Sequence, residues 1–266
     1  MNAPVSEQLV LSARDGAVLR LVMNRAQARN ALSRAMMGAL QSAFDDAAKD
    51  DSRAIILAAE GPVFSAGHDL KEMTARRADA DKGKAAFAEI FAQCSRLMQT
   101  IVRCPKPVIA EVQGIATAAG CQLVASCDLA IASSSAQFAT PGVNIGLFCS
   151  TPMVALSRNV SRKHAMEMLL TGEMISADEA ARFGLVNRVV APDVLYPHVM
   201  RLAQKIAAKP RATVKIGKEA FYRQLEMPLA EAYDYASRVM TENMLNAEAT
   251  EGICAFVEKR DPKWPN

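Results

Sequence analysis

The sequence is poor in the residues that build metal centres and disulfide frameworks. Its 266 residues include three histidines and six cysteines, and no two cysteines form a C-x-x-C pair. The unpaired cysteines predict reduced thiols, and the scattered histidines argue against a zinc site. The sequence also has no apolar run of about 18 residues, so we expect no membrane-spanning helix.

A strong charge bias and a leader segment are also missing. The 31 basic residues are balanced by 28 acidic residues, which leaves a net charge of +3. This balance is not typical of proteins that bind nucleic acid or an anionic membrane. The first residues, "MNAPVSEQLV", lack the basic start and apolar core of a signal or transit peptide. On these grounds we expect a cytoplasmic protein without a nucleic-acid or membrane partner.

The patterns that are present predict an α/β fold. Two extended segments, "QLVLSA" and "AVLRLVM", flank "RDG" and predict a β-hairpin. A helical pattern follows, with Ser33 as its expected N-cap. Three further strands, "RAIILAA", "KPVIAEV" and "CDLAIAS", alternate with helical patterns, which favours a mostly parallel sheet.

The pattern changes near Pro192. From there to about Arg260 the sequence is almost entirely helical in its spacing. We therefore divide the chain into an α/β core over residues 1–191 and a C-terminal helical region over residues 192–266. A helical tail of this kind often packs on a partner subunit.

Two loops rich in small residues follow strands, in "EGPVFSAGHDLKEM" and "GIATAAGCQLVASCD". Gly67 permits an unusual backbone turn, and Asp69 is the expected cap of a short helix. A helix that begins at about Ala119 would direct unpaired N–H groups toward a ligand. Two N–H donors from the two loops would form an oxyanion hole if they converged on one oxygen. The alternative from spacing alone is a pair of ordinary tight turns.

Several segments resemble the enoyl-CoA hydratase/isomerase (crotonase) family, with the spacing kept from about Ser6 to Arg260. They are "MNRAQARNALS", "FSAGHDLKEM", "GIATAAGCQLVASCDLAIAS", "FATPGVNIGL", "TGEMISADEAARFGLVNRVV" and "EGICAFVEKR". The resemblance implies a ClpP/crotonase-type spiral of β-β-α units with a C-terminal helical region used in trimers, often stacked as hexamers. It also implies an acyl-CoA thioester as ligand, with coenzyme A as part of the substrate and no metal or other bound cofactor.

The resemblance assigns roles to individual residues of this chain. The thioester oxygen would accept from the peptide N–H groups of His68 and Ala119. Coenzyme A would lie along the first loop, and the last helix of a neighbouring subunit would reach its adenine and phosphates. The binding residues implied in this way are Ala28, Arg29, Ala66, Gly67, Asp69, Leu70, Gly120, Phe256 and Lys259.

The chain departs from the family at two catalytic positions. Family hydratases use two glutamates, and the matching residues here are Gln122 and Gly142. Neither residue exchanges a proton near pH 7. Because each acid–base group contributes roughly 10²–10⁴-fold to a rate, ordinary hydration is in doubt, whereas thioester binding and enolate stabilisation are not.

Replacement groups are scarce. The His68 side chain has suitable chemistry, although its position makes the backbone N–H its first role. Cys149 and Ser150 lie where other family members place a catalytic aspartate, but no histidine partner is visible, and core or helix-start roles fit them better. Asn144 is a candidate to orient water or the acyl group, and Asp128 is expected to be structural.

Three functions stay open from the sequence. The first is an active acyl-CoA enzyme of the hydratase type, a hydro-lyase. The second is another enolate reaction, decarboxylation or isomerisation. The third is an acyl-CoA-binding protein without turnover. The acyl chain and the pathway are not fixed by the sequence.

Overall fold

A computed structural model describes residues 8–264 of the protein. Residues 1–7, which include most of the segment used to judge the leader, lie outside the described residues. None of the described helices is long and apolar enough to cross a membrane. All six cysteines are free thiols, which confirms that prediction.

The strands form two sheets. Strands are numbered here in chain order. The larger sheet contains β1 (Val10–Asp15), β2 (Val18–Met23), β3 (Ala54–Ala59), β5 (Val108–Val112), β7 (Leu129–Ser133) and β10 (Arg188–Val190), side by side in that order. The smaller sheet contains β4 (Val63–Ser65), β6 (Ile115–Thr117), β8 (Gln137–Ala139) and β9 (Ile175–Ser176). Only the β1–β2 and β8–β9 pairs are antiparallel in the described residues.

The predicted hairpin and the three predicted core strands are confirmed. Asp15 pairs with Val18 across a turn in which Gly16 has a φ of 55°. Every residue of β3 and β5 is buried, as expected for strands covered on both faces of a mostly parallel sheet. The four short strands of the smaller sheet were not predicted.

Helices occupy the connections between strands and the end of the chain. They are α1 (Arg34–Ala47), α2 (Leu70–Ala75), α3 (Lys84–Arg103), α4 (Ala119–Ser126), α5 (Pro152–Asn159), α6 (Arg162–Thr171), α7 (Ala177–Phe183), α8 (Leu195–Ala207), α9 (Arg211–Gln224), α10 (Leu229–Met244) and α11 (Ala247–Val257). The predicted N-cap of α1 is confirmed, because the Ser33 hydroxyl accepts from the Met36 N–H at 3.2 Å.

The larger sheet separates two apolar clusters. On one face, Leu57 and Ala110 pack with α1, α3 and α4 through residues such as Leu40 and Leu97. On the other face, buried side chains including Ile56, Ile109 and Ile131 pack against α8 through Val199 and Met200. The division of the chain at residues 191 and 192 stays a prediction, and α8 packs directly on the core sheet.

A buried carboxylate fixes α9 to the core. Asp128 accepts from the Lys218 ammonium at 2.7 Å, the Tyr222 hydroxyl at 2.9 Å and the Val108 N–H at 2.7 Å. This confirms the structural role expected for Asp128. Helices α10 and α11 pack mainly on α9 and on each other.

Candidate active site

The two loops that are rich in small residues lie against each other in the structure. One loop joins β4 to α2 and the other joins β6 to α4, and β4 and β6 are parallel neighbours. A Cβ atom added to Gly67 would lie 2.9 Å from the Ala118 Cβ and 3.1 Å from the Ala119 nitrogen. Neither His68 nor Ala119 donates its peptide N–H in the backbone hydrogen bonds that join the described loops. The geometry therefore leaves two neighbouring donors for a ligand.

The backbone of both loops is held in conformations that favour glycine. Gly67 has a φ of 85°. Ala118 has a φ of 51° and a ψ of −119°, immediately before the first residue of α4. A non-glycine residue in such a conformation costs about 1–3 kcal/mol and persists only where the surroundings enforce it. Here the turn brings the first residue of α4 against the other loop.

Gly120 allows α4 to approach β4 closely. A Cβ atom at this position would lie 2.3 Å from the Ser65 carbonyl oxygen. Because no side chain fits there, glycine fixes the distance between the start of α4 and the loop that carries His68. Its position next to the candidate oxyanion hole agrees with the resemblance, although its contact with coenzyme A stays a prediction.

Asp69 caps α2, as predicted. Its carboxylate accepts from the N–H groups of Lys71 and Glu72 and pairs with the Arg25 guanidinium at 2.9 Å. Partial burial alone would raise the pKa of Asp69, but the hydrogen bonds from Glu72 and Arg25 hold it below its ordinary value. The carboxylate is therefore charged and already fully engaged by the protein, while the adjacent Leu70 is 50% exposed.

The segment that contains Ala28 and Arg29 runs beside the first loop. Ala28 ends a short 3-10 helix, and Arg29 follows it with a φ of 53°. The Arg29 carbonyl accepts from the Ala66 N–H at 3.0 Å, and the Leu32 N–H donates to the Gly67 carbonyl at 2.8 Å. The structure thus brings these implied binding residues together, while their contact with coenzyme A stays a prediction.

Gln122, which the resemblance matches to the first family glutamate, lies on the first turn of α4. It is 5% exposed, and its Oε1 lies 3.9 Å from the Cys94 thiol of α3. An amide in this position orients a neighbouring polar group but does not exchange protons near neutral pH.

Gly142, which the resemblance matches to the second family glutamate, is closely surrounded by its own loop. The Gly142 N–H donates to the Cys149 sulfur at 3.3 Å. A Cβ atom at Gly142 would lie 2.6 Å from the Leu147 carbonyl oxygen and 2.8 Å from that sulfur. Burial raises the pKa of the Cys149 thiol, so the thiol is neutral and belongs to the packed loop.

Neighbouring polar residues bond locally. The Asn144 amide donates to the Gly172 carbonyl at 3.4 Å, and the Ser150 hydroxyl donates to the Phe148 carbonyl at 3.4 Å. A role for either residue toward a substrate stays a prediction.

The last two implied binding residues lie at the end of the C-terminal helical region. Phe256, on α11, is 84% exposed, and Lys259 follows that helix with a φ of 56°. Within one chain, α11 packs on α9 and α10. A contact of these residues with the site of a neighbouring subunit stays a prediction.

The sequence reasoning missed the side chains that α3 brings to the site. Phe91 packs edge-on against the His68 ring, with centroids 5.6 Å apart, and Cys94 contacts Gln122. Thr140 was also missed, and its buried hydroxyl oxygen has no hydrogen-bond partner in the described residues. The periodic apolar pattern of α3 predicts a helix, but it does not indicate which neighbours the helix has.

The parallel spiral core, the paired loops and the helical tail define a crotonase-type fold, and comparison with known proteins agrees. Residues 13–266 match the family model described as Enoyl-CoA hydratase/isomerase. The chain therefore belongs to this family, and the resemblance inferred from its motifs is confirmed.

The relatives include one named member at high identity. The chain is 50% identical over 264 residues to enoyl-CoA hydratase domain-containing protein 3, mitochondrial, of Rattus norvegicus, covering 98% of this chain and 86% of that protein. A crystal structure of the human protein of that name superposes with a TM-score of 0.91 at 48% identity, covering 96% of this chain and 100% of that one. The crystal structure of an enoyl-CoA hydratase from Mycobacterium smegmatis superposes with a TM-score of 0.92 at 55% identity, covering 96% of this chain and 98% of that one.

These names correct one expectation. Several relatives at 50–51% identity are named as mitochondrial, which contradicts the cytoplasmic location expected from the sequence. That expectation was wrong because it depended on the composition of a short N-terminal segment, and the residues that build the fold carry no record of the compartment.

Proposed function

We propose that the protein binds an acyl-CoA thioester and stabilises its enolate with the peptide N–H groups of His68 and Ala119. The observation that supports this proposal is the contact between Gly67 and the Ala118–Ala119 turn, which brings together the two loops that carry these N–H groups. Family membership supports the ligand class, since relatives are named enoyl-CoA hydratases.

The two donors account for stabilisation of the charge that develops on the thioester oxygen. Removal of one such donor typically costs roughly 2.7–4 kcal/mol of transition-state stabilisation. The positive end of the α4 dipole acts in the same direction. Gln122 would orient water or the acyl group beside the enolate.

Coenzyme A would enter as part of the substrate, with no metal or other cofactor. Among the described residues no group of three or more His, Cys, Asp or Glu side chains could hold a metal ion. Ala28, Arg29 and Ala66 would border the coenzyme A. Phe256 and Lys259 would come from a neighbouring subunit in a homotrimer or a hexamer of two trimers, since both are exposed at the end of the helical region of their own chain.

The closure of Gly142 by Cys149 favours a second candidate within the same class. Decarboxylation or isomerisation of an acyl-CoA needs an enolate hole but fewer proton-transfer groups than hydration, so it suits a site without both carboxylates. A protein that binds acyl-CoA without turnover would retain the loops and show no product.

Acetoacetyl-CoA tests the oxyanion hole directly, because its enolate absorbs in the near ultraviolet and is favoured only when the negative oxygen is stabilised. We expect the wild-type protein to bind this thioester as its enolate. Ala119→Pro removes the N–H at the first helical position, where proline is compatible with a helix, and should abolish the enolate signal. Ala119→Gly keeps the N–H and should retain it. Thermal melting would show that the proline variant is folded.

An unchanged enolate signal in folded Ala119→Pro would contradict the proposed site. Turnover is then followed with crotonyl-CoA in D₂O by mass spectrometry, which reports water addition and deuterium uptake separately. Water addition would support a hydro-lyase activity. If the protein binds the enolate but forms no product, acyl-CoA substrates for decarboxylation are tested next.

A further inference from the structure

The His68 imidazole is an orphaned polar group at the candidate site. The described residues contain five buried side-chain nitrogen or oxygen atoms without a hydrogen-bond partner. Two of them are the Nδ1 and Nε2 atoms of His68, and a third is the Thr140 hydroxyl oxygen. Both residues adjoin the Ala118–Ala119 turn, since Gly67 contacts Ala118 and the Ala118 N–H donates to the Ala139 carbonyl.

Helix α3 contacts both the His68 imidazole and the Gln122 amide. Phe91 packs against the His68 ring, and Cys94 contacts the Gln122 amide. Phe91 and Cys94 are three residues apart, so they lie on the same face of α3 within one turn. The imidazole and the amide therefore lie against neighbouring positions of one helix face, beside the two oxyanion donors.

A purely structural histidine does not fit these observations well. A buried donor or acceptor left unpaired loses its hydration without compensation, and buried polar groups in native proteins are therefore almost always hydrogen-bonded. Among the described residues neither ring nitrogen has a partner at hydrogen-bond distance and angle, although the ring packs against Phe91 and lies near the Leu32 backbone. A hydrogen-bond partner supplied by the bound substrate or by water would satisfy the imidazole nitrogens.

We propose that the His68 side chain is the proton-transfer group of this site, hydrogen-bonded to the reacting end of the acyl group and to the water that adds to it. The proposal rests on the proposed function, because it needs the enolate that the two N–H groups stabilise. The backbone and side chain of His68 would then act together, the first on the thioester oxygen and the second on the proton.

The step is balanced without another reactant. The oxygen of water bonds to the β-carbon of a 2-enoyl thioester while the neutral imidazole takes one proton of that water. The electron pair of the C=C bond moves toward the thioester carbonyl and forms the enolate. The imidazolium then gives its proton to the α-carbon, the carbonyl forms again, and the imidazole returns to its neutral state.

The surroundings of His68 favour the neutral imidazole that the step requires. Burial lowers the pKa of His68 below its ordinary value of 6.5, and the opposing influences of the nearby Leu32 backbone and, after it, of the Glu72 carboxylate on α2 are smaller. On α3 the nearby titratable group is the Cys94 thiol, whose pKa burial raises to about 12, so it stays neutral. On the first loop, the Asp69 carboxylate is engaged by Arg25 and the α2 backbone.

His68→Gln separates the two roles of this residue. The substitution keeps the peptide N–H and a polar side chain but removes the imidazole that can accept and return a proton near neutral pH. We expect it to retain enolate binding of acetoacetyl-CoA and to lose roughly 10²–10⁴-fold in the rate of water addition to crotonyl-CoA. The matched control is His164→Gln, since His164 is a histidine stacked on an aromatic ring, Phe183, outside both loops. It should leave both measurements unchanged.

The pH profile of water addition supplies a readout that a structural role would not give. In the wild-type protein the rate should fall as the pH drops through a value below 6.5, because protonation removes the base. His68→Gln should lack this acidic limb. The inference is overturned if His68→Gln keeps the wild-type rate. It is also overturned if the wild-type protein binds the enolate yet catalyses neither water addition nor deuterium exchange at any pH. Absence of enolate binding in the wild-type protein would instead overturn the proposed function, and this inference with it.

Discussion

Substitution of Gly142 by alanine or glutamate tests whether the place of the second family glutamate is sterically closed. Gly142 has no positive φ, so its need for glycine comes from contacts and not from backbone conformation. The loop over residues 142–149 folds back on this glycine. The Leu147 N–H donates to the Gly142 carbonyl at 2.9 Å, and the Gly142 N–H donates to the Cys149 sulfur at 3.3 Å.

The cost follows from the two contacts of an added Cβ atom. It would lie 2.6 Å from the Leu147 carbonyl oxygen and 2.8 Å from the Cys149 sulfur, both closer than real Cβ contacts. Overpacking of this kind costs about 1–3 kcal/mol. For a chain of this size, that loss corresponds to a fall in Tm of roughly 2–12 °C. Because the clash is at Cβ, Gly142→Ala should show most of the effect and Gly142→Glu should not restore hydration.

Thermal melting of both variants and the rate of crotonyl-CoA hydration provide the measurement. Gly38→Ala, on α1, is the matched control, since the added Cβ atom would have only an ordinary contact with the Gln93 Nε2 atom at 3.7 Å. It should be neutral or stabilising by up to about 1 kcal/mol. The reasoning is refuted if Gly142→Ala melts with the wild-type protein, or if Gly142→Glu accelerates hydration, because either result would show an open position.

Two further predictions concern the anchor of α9 and the turn before α4. Asp128→Ala should lower the free energy of unfolding by about 3–5 kcal/mol, because it leaves the largely buried Lys218 ammonium without its carboxylate partner. The control is Glu226→Ala, in an exposed pair with Arg158, which should cost about 0–1 kcal/mol. Equal losses in urea unfolding would contradict this prediction. Ala118→Gly should raise the free energy of unfolding, because relief of about 1–3 kcal/mol of backbone strain exceeds the entropic cost of glycine of roughly 0.5–1 kcal/mol. A more stable Ala118→Val variant would show that the turn is not strained.

The elements that could be predicted from the sequence have strong local signals. The hairpin at Gly16, the buried runs of β3 and β5, and the N-caps Ser33 and Asp69 each depend on a few adjacent residues. The two loops rich in small residues were also predicted, and each lies between a strand and a helix as expected. Their roles in this chain came from the resemblance to the family.

The smaller sheet could not be predicted for a physical reason. Its strands contain only two or three residues each, too few for an alternating pattern, and they form because parallel neighbours supply their hydrogen bonds. The closure of Gly142 by Cys149 is a similar case. The two residues are seven positions apart, and only the folded loop places the sulfur where a side chain would begin.

Several departures from local rules lie around one turn. Ala118 has a conformation that favours glycine, Gly67 approaches it closely, and the His68 ring nitrogens have no hydrogen-bond partner among the described residues. The turn and the unpaired imidazole each cost folding free energy. Natural sequences keep such conflicts mainly at functional sites. The replacement of both glutamates that the resemblance implies is therefore compatible with a working site, because a decayed site would be free to relax this strain and to pair its histidine.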